Sequence, residues 1–251
     1  MDKFRVPCSN NVKTEWVTLT VDDGTEMEIF IAKPMETTKA PALLVFHEAF
    51  GITAHIKDVA QRFAQEGFFS IVPALFHRTS SHELAIPYNQ YELTREHTQA
   101  IEQDRLTADL KALAHFCRHH PQVNADWLGS IGYCMGGRIS YIANATLPLK
   151  AAVSYYGGQI AQNHLSLAAT QHAPLLLVWA GLDQHITLEH RILVKEALYN
   201  AKKNFIDIEF SQADHGFFCD ERIAYHPIAS KQVWALTLAF LNTYLPKTTL
   251  F

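Results

Sequence analysis

The stretch Gly132-Tyr133-Cys134-Met135-Gly136-Gly137 sets a thiol between small residues two positions away on either side. Gly-x-Cys-x-Gly is the spacing of a nucleophile held on a sharp turn from a strand into a helix. The backbone there is cramped, so the flanking residues must lack bulk. Trp127 to Tyr133 reads as the incoming strand, and Arg138 to Ala145 is helix-competent. The positive end of that helix would favour a thiolate at Cys134 and an oxyanion close by. Taken alone, the same spacing also describes a plain strand-to-helix turn around a buried thiol.

Two further residues decide between these readings. In a sheet of this kind the nucleophile, the acid and the histidine follow in that order, each at the carboxyl end of a strand. The apolar run Leu175–Gly181 leads into Leu182-Asp183-Gln184-His185, which puts Asp183 where the acid belongs. Phe205–Phe210 leads into Ser211-Gln212-Ala213-Asp214-His215-Gly216, which puts His215 where the base belongs. Cys134, Asp183 and His215 in this order form a candidate triad for acyl transfer, with His215 as general acid and base and Asp183 orienting it.

The elements that must position these residues follow from hydrophobic patterning. Glu15–Thr20 and Met27–Ala32 alternate and read as two antiparallel strands joined by a turn at 22–25. Ala42–His47, Phe68–Val72, Trp127–Tyr133, Ala151–Tyr155, Pro174–Gly181 and Phe205–Phe210 are short, nearly continuous apolar runs. Such runs mark strands covered on both faces. Helices are expected over His55–Glu66 (capped by Gly67), from about Gln99 to Arg118, and over Met135–Ala145, Leu188–Asn200 and Pro227–Tyr244. Strands alternating with helices predict right-handed crossovers and a mostly parallel α/β sheet flanked by helices. The polar stretch from about His77 to His97 reads as irregular. With no repeat or linker, one domain over 1–251 is the simplest organisation. Trp179, Phe210 and Trp234 are expected in the core, and Cys117 as a small buried residue on its helix.

From about Glu15 to Tyr244 the chain resembles the dienelactone hydrolase family (carboxymethylenebutenolidase-like), the cysteine branch of the α/β-hydrolases. The likeness rests on His47-Glu48-Ala49-Phe50-Gly51, on the Gly132–Gly137 elbow, on Gly181-Leu182-Asp183 and on His215-Gly216-Phe217. It implies an α/β-hydrolase fold and hydrolysis of a lactone or activated ester through an acyl-thioester. It also implies that Glu48 accepts the thiol proton and that the Ala49 and Met135 N–H groups form the oxyanion hole. An unperturbed thiol, with a pKa of about 8.5, is mostly protonated at neutral pH, so a nearby base is chemically useful. The family holds its substrate carboxylate with two arginines. Arg78 falls where the first is expected, but the position of the second, four residues after His215, is Cys219. Arg222, three residues further on, reads equally as a clamp or as a surface or helix-capping arginine. Tyr88 and Tyr91 read as a lid or as ordinary loop aromatics, and Tyr88 joins Arg78 and Arg222 as a candidate substrate contact. Cys219 is a candidate for the pocket lining.

Composition narrows the partners. The 251 residues are 48% hydrophobic and 18% charged, with a net charge of −4 and no basic run, which argues against nucleic acid. No apolar stretch is long enough to span a bilayer, and no signal peptide is evident. Cys8, Cys117, Cys134 and Cys219 are scattered without a Cys-x-x-Cys pair, which favours reduced thiols and a cytoplasmic location. Despite 14 histidines no metal-ligand spacing occurs, so neither metal nor cofactor is expected. The expected partner is a small ester or lactone, and oligomeric state stays open. A non-catalytic ligand- or partner-binding member of the same fold, and a thioesterase or peptidase, are the alternatives.

Overall fold

A computed structural model of the chain describes residues 11–35 and 39–247. Cys8 lies outside the described residues. Eight strands form one sheet in the order β1-β2-β4-β3-β5-β6-β7-β8. The strands are β1 (Val12–Thr20), β2 (Glu26–Pro34), β3 (Ala40–Phe46), β4 (Phe69–Pro73), β5 (Val123–Tyr133), β6 (Ala151–Tyr155), β7 (Leu175–Ala180) and β8 (Phe205–Phe210). β1 pairs antiparallel with β2, and β2 with β4. All pairings from β4 to β8 are parallel.

The helices are α1 (Ala54–Gln65), α2 (Thr94–Gln99), α3 (Gln103–His119), α4 (Met135–Thr146), α5 (Ile160–Asn163), α6 (Leu188–Asn200) and α7 (Pro227–Tyr244). β3, β4, β6 and β7 are buried along their whole length, which explains their lack of alternation. No helix among the described residues is long and apolar enough to cross a membrane.

Three expectations need correction. The helix expected from about Gln99 begins at Gln103 as α3, and the stretch to His97 that reads as irregular carries most of the short helix α2. β5 begins at Val123 rather than Trp127, with a register shift against β3 between Pro41 and Ala42. A bulge of this kind interrupts the apolar alternation and hides the start of a strand. β8 is an edge strand whose residues stay half-exposed or exposed, so it is not covered on both faces. Phe210 is accordingly only partly buried, whereas Trp179, Trp234 and Cys117 lie in the core.

The parallel strands β3, β5, β6 and β7 all point their carboxyl ends to one edge of the sheet. The loops after β3, β5, β7 and β8 meet there, and these are the loops that carry Glu48, Cys134, Asp183 and His215. The sheet's topology, rather than any local sequence, brings four distant residues to one place.

Candidate active site

β5 ends at Tyr133 and α4 begins at Met135, so Cys134 alone makes the turn. Its backbone lies at φ 56 and ψ −115, a conformation that L-residues rarely adopt. The Cys134 N–H donates to the Tyr155 carbonyl at 3.0 Å, and its own carbonyl accepts from Gly137 N–H at 3.0 Å. A Cβ at Gly132 would stand 1.9 Å from the Gly136 carbonyl oxygen, and one at Gly136 would stand 2.1 Å from that of Phe46. Both contacts are with backbone, which explains why the turn needs glycine at these two positions.

His215 hydrogen-bonds to the Cys134 thiol and turns its other ring nitrogen to Asp183, with Nδ1 2.7 Å from Oδ2. The second carboxylate oxygen of Asp183 accepts the N–H groups of His185 at 2.7 Å and Ile186 at 3.0 Å. Those bonds fix the carboxylate. Burial pushes the Asp183 carboxyl up, but the hydrogen bond and charge of His215, with the two N–H groups, outweigh it and hold it below the usual range. The rings of Tyr156 and His185 flank that of His215 at centroid distances of 5.1 and 5.4 Å.

Burial raises the Cys134 thiol, and Glu48 raises it further, but the charge and hydrogen bond of His215, with help from Arg222, bring it below the usual thiol value. Burial likewise pushes His215 down, and Cys134 and Asp183 together push it well up. These directions favour a thiolate–imidazolium pair: Cys134 loses its proton at a pH below the ordinary thiol range, and His215 keeps its proton above the ordinary imidazole range. The expected consequence is that iodoacetamide alkylates Cys134 rapidly at neutral pH. His215→Ala removes the largest opposing influence on burial and moves the midpoint of alkylation upward, toward or beyond the free-thiol value of about 8.5. Labelling rates followed by mass spectrometry across the pH range would read this directly, and an unmoved midpoint would refute the pair.

Glu48 is buried directly after β3, with one carboxylate oxygen 3.0 Å from Arg222 Nη1 and the other without a hydrogen-bond partner. Arg222 reaches it by passing over Gly216, where a Cβ would fall 2.1 Å from the guanidinium. Gly216 also has φ +82, so this loop needs glycine on both counts. The guanidinium lies over the Phe50 and Tyr88 rings at 5.5 and 5.8 Å. The Tyr88 hydroxyl is 3.0 Å from Thr53 Oγ1 and also meets Cys219. Cys219 is fully buried, and burial next to Glu48 pushes its thiol up. Met135 is the first residue of α4, whose leading N–H groups have no intrahelical acceptor, and Ala49 is buried beside Glu48.

Cys134, Asp183, His215, Glu48, Arg222 and Tyr88 thus converge, with Ala49 and Met135 next to them. Arg78 does not join them. Its guanidinium makes a two-pronged pair with Asp109 at 2.7 and 2.9 Å and a further bond to Asp23. Asp109 lies on α3 and Asp23 in the β1–β2 turn, so Arg78 ties those elements together and is not available to a ligand beside Cys134. Two neighbours escaped the sequence reading. Tyr156 packs on His215 with its hydroxyl buried and without a partner, and nothing local in the sequence singles it out. Arg138 follows Cys134 by four residues, which is the spacing that puts two residues on one face of a helix. Among the described residues, no group of three or more His, Cys, Asp or Glu is arranged to hold a metal ion.

A mostly parallel sheet with a strained thiol on the strand-to-helix turn, and an acid and a histidine at the next strand ends, has the architecture of an α/β-hydrolase. The model of the dienelactone hydrolase family matches residues 27–245, and the chain belongs to that family, an ester-cleaving one. A Yersinia pestis protein named "Putative carboxymethylenebutenolidase" is 32% identical over 231 residues, which are 88% of this chain and 85% of that protein. One of the same name from Synechocystis sp. is 27% identical, over 94% of this chain and 98% of its own length. The crystal structure of a "Putative Dienelactone Hydrolase" from Klebsiella pneumoniae subsp. pneumoniae superposes with a TM-score of 0.86 at 27% identity. It covers 94% of this chain and 100% of that one.

Proposed function

We propose that the protein hydrolyses a small lactone or activated carboxylic ester by covalent catalysis at Cys134, within a single α/β-hydrolase domain and in the cytoplasm. The observation that carries the reading is the continuous chain of hydrogen bonds from Cys134 through His215 to Asp183, with the far end of Asp183 held by two backbone N–H groups.

In this reading the Cys134 sulfur attacks the acyl carbon, and the carbonyl oxygen becomes an oxyanion held by the N–H groups of Ala49 and Met135. Collapse of the tetrahedral intermediate breaks the acyl–oxygen bond. The leaving oxygen takes a proton from the His215 imidazolium, and an acyl-thioester remains on Cys134. Neutral His215 then removes a proton from water, which attacks the thioester, and the sulfur leaves as thiolate beside the re-formed imidazolium. A thiolate attacks an activated ester readily and is poorly suited to amides, which favours esters and lactones over peptides.

Glu48 serves as a second acceptor for the thiol proton, because one of its oxygens is buried with no partner and it bears electrostatically on Cys134. Arg222 and Tyr88 form the substrate-facing wall. The geometry of Arg78 supports no such role for it.

The test is to trap the intermediate. Rapid mixing with p-nitrophenyl acetate should produce a burst of p-nitrophenol, and mass spectrometry should find one acetyl group on the peptide containing Cys134. Turnover without an acyl adduct at Cys134 would overturn the mechanism. No turnover with any of a panel of simple esters and lactones would overturn the function.

A further inference from the structure

We propose that His115 and His119, on the last turn of α3, chelate a divalent transition-metal ion of the Zn²⁺, Ni²⁺ or Cu²⁺ class at the wall of a cavity remote from Cys134. The proposal stands apart from the ester-hydrolase reading and departs from the expectation that the histidines hold no metal.

The cavity, of about 840 Å³, is walled by the end of β1, the second half of α3 and the end of α4, and its lining includes Asp22, Lys111, His115, His119 and Thr146. Helix α4 runs from the elbow at Cys134 to Thr146, so its length, roughly 18 Å, separates the cavity from the thiol. The sequence alone does not mark the pair, because Phe116 follows His115 where the helix of a zinc protease would carry Glu. The helix itself brings the two together: residues four apart share a face, and both histidines line the cavity.

The ring centroids of His115 and His119 are 4.2 Å apart. Two imidazoles that share one ion, each with a metal–nitrogen distance of about 2.0–2.1 Å, place their centroids roughly 4.5–5 Å apart. The helix thus holds the rings close to the separation a common ion needs. His119 Nδ1 donates to the His115 carbonyl at 2.8 Å, which fixes the tautomer and leaves the lone pair on Nε2. Among the described residues no hydrogen bond occupies His119 Nε2 or either ring nitrogen of His115. The local field also suits a cation. Helix α3 ends at His119, so its terminal carbonyls lie under the pair, and Asp22 adds a carboxylate to the cavity wall. Lys111 and Arg118 line the same cavity and oppose a cation, but both are exposed and their charges are screened by solvent. Imidazole ligands select Zn²⁺, Ni²⁺ or Cu²⁺ over the hard Mg²⁺ and Ca²⁺, which take oxygen. The protein supplies two ligands, in keeping with the absence of any three-residue cluster among the described residues, and water in the cavity completes the coordination.

The experiment titrates Ni²⁺ into the full chain carrying Cys134→Ala, so that the candidate nucleophile cannot take up the ion. Calorimetry should find one ion bound, Cu²⁺ should bind more tightly still, and each ion should raise Tm. His115→Gln and His119→Gln, added singly to that parent, should each weaken Ni²⁺ binding by about tenfold or more and remove most of the gain in Tm. Melting without metal should match the parent, because both side chains are exposed and glutamine is a good helix former. His172→Gln, at an exposed histidine elsewhere, should leave Ni²⁺ binding unchanged. Electron paramagnetic resonance of the Cu²⁺ form should show coupling to two imidazole nitrogens in the parent and to one in either variant. A parent that binds neither ion, or an affinity unchanged in either His115→Gln or His119→Gln, would overturn the proposal. None of these outcomes bears on whether the chain cleaves esters, so the two readings fail separately.

Discussion

Cys134→Ala is expected to lower kcat for p-nitrophenyl acetate by about 10⁴-fold or more, because removing the nucleophile of a covalent mechanism leaves only binding and the oxyanion donors. Secondary structure and thermal stability should stay close to wild type, since alanine occupies the same cramped turn and keeps its backbone strain. Cys134→Gly separates the two demands made on this position. Glycine adopts φ 56 at no steric cost, so this variant should be as inactive as the alanine one. It should also be more stable by about 1 kcal/mol, or about 2–4 °C in Tm for a chain of this size. Activity of either variant within tenfold of wild type would remove Cys134 from the mechanism. A Cys134→Gly protein that melts no higher than wild type would show that the elbow stores no strain. The expected pair of outcomes is that of a residue kept for its chemistry at the expense of stability.

Asp183→Asn is expected to cost about 10³- to 10⁴-fold in kcat, by analogy with the same substitution in a serine triad. The amide can still accept the N–H groups of His185 and Ile186, which now bond to the Asp183 carboxylate at 2.7 and 3.0 Å, so the loop should keep its shape. What changes is the group facing His215. An amide NH₂ at that position favours the ring tautomer with Nδ1 as acceptor and Nε2 protonated, which points a proton at Cys134 and removes the base. The charge that stabilises the imidazolium is lost at the same time. Asp183 is among the groups that push His215 up, so its neutralisation moves His215 down, and Cys134, deprived of its charged partner, moves up. Alkylation of Cys134 at neutral pH should slow in step with kcat. A fall in kcat with unchanged alkylation would show that Asp183 acts on a later step. Unchanged values of both would exclude it from the site's chemistry.

The sequence by itself determined the frame and singled out the candidate reacting groups. Buried parallel strands announce themselves as unbroken apolar runs, and the elbow announces itself because its stereochemistry tolerates nothing but glycine at Gly132 and Gly136. The order of Cys134, Asp183 and His215 was legible because each follows a readable strand, and a parallel sheet gathers such strand ends on one edge. The starts it concealed, of α3 at Gln103 and of β5 at Val123, lie where a short irregularity carries no distinctive residue. What only the tertiary structure decided was the disposition of the arginines. Arg78 stood at the family's position yet turned to Asp109 and Asp23, whereas Arg222 reached Glu48 across 174 positions of chain. Arg138, unremarked in the sequence, is half-buried and has no carboxylate partner among the described residues. The physical reason is one of range. Periodicity and turn chemistry are local, but a long, flexible guanidinium chooses among carboxylates delivered by distant elements, and that choice exists only once the elements have packed.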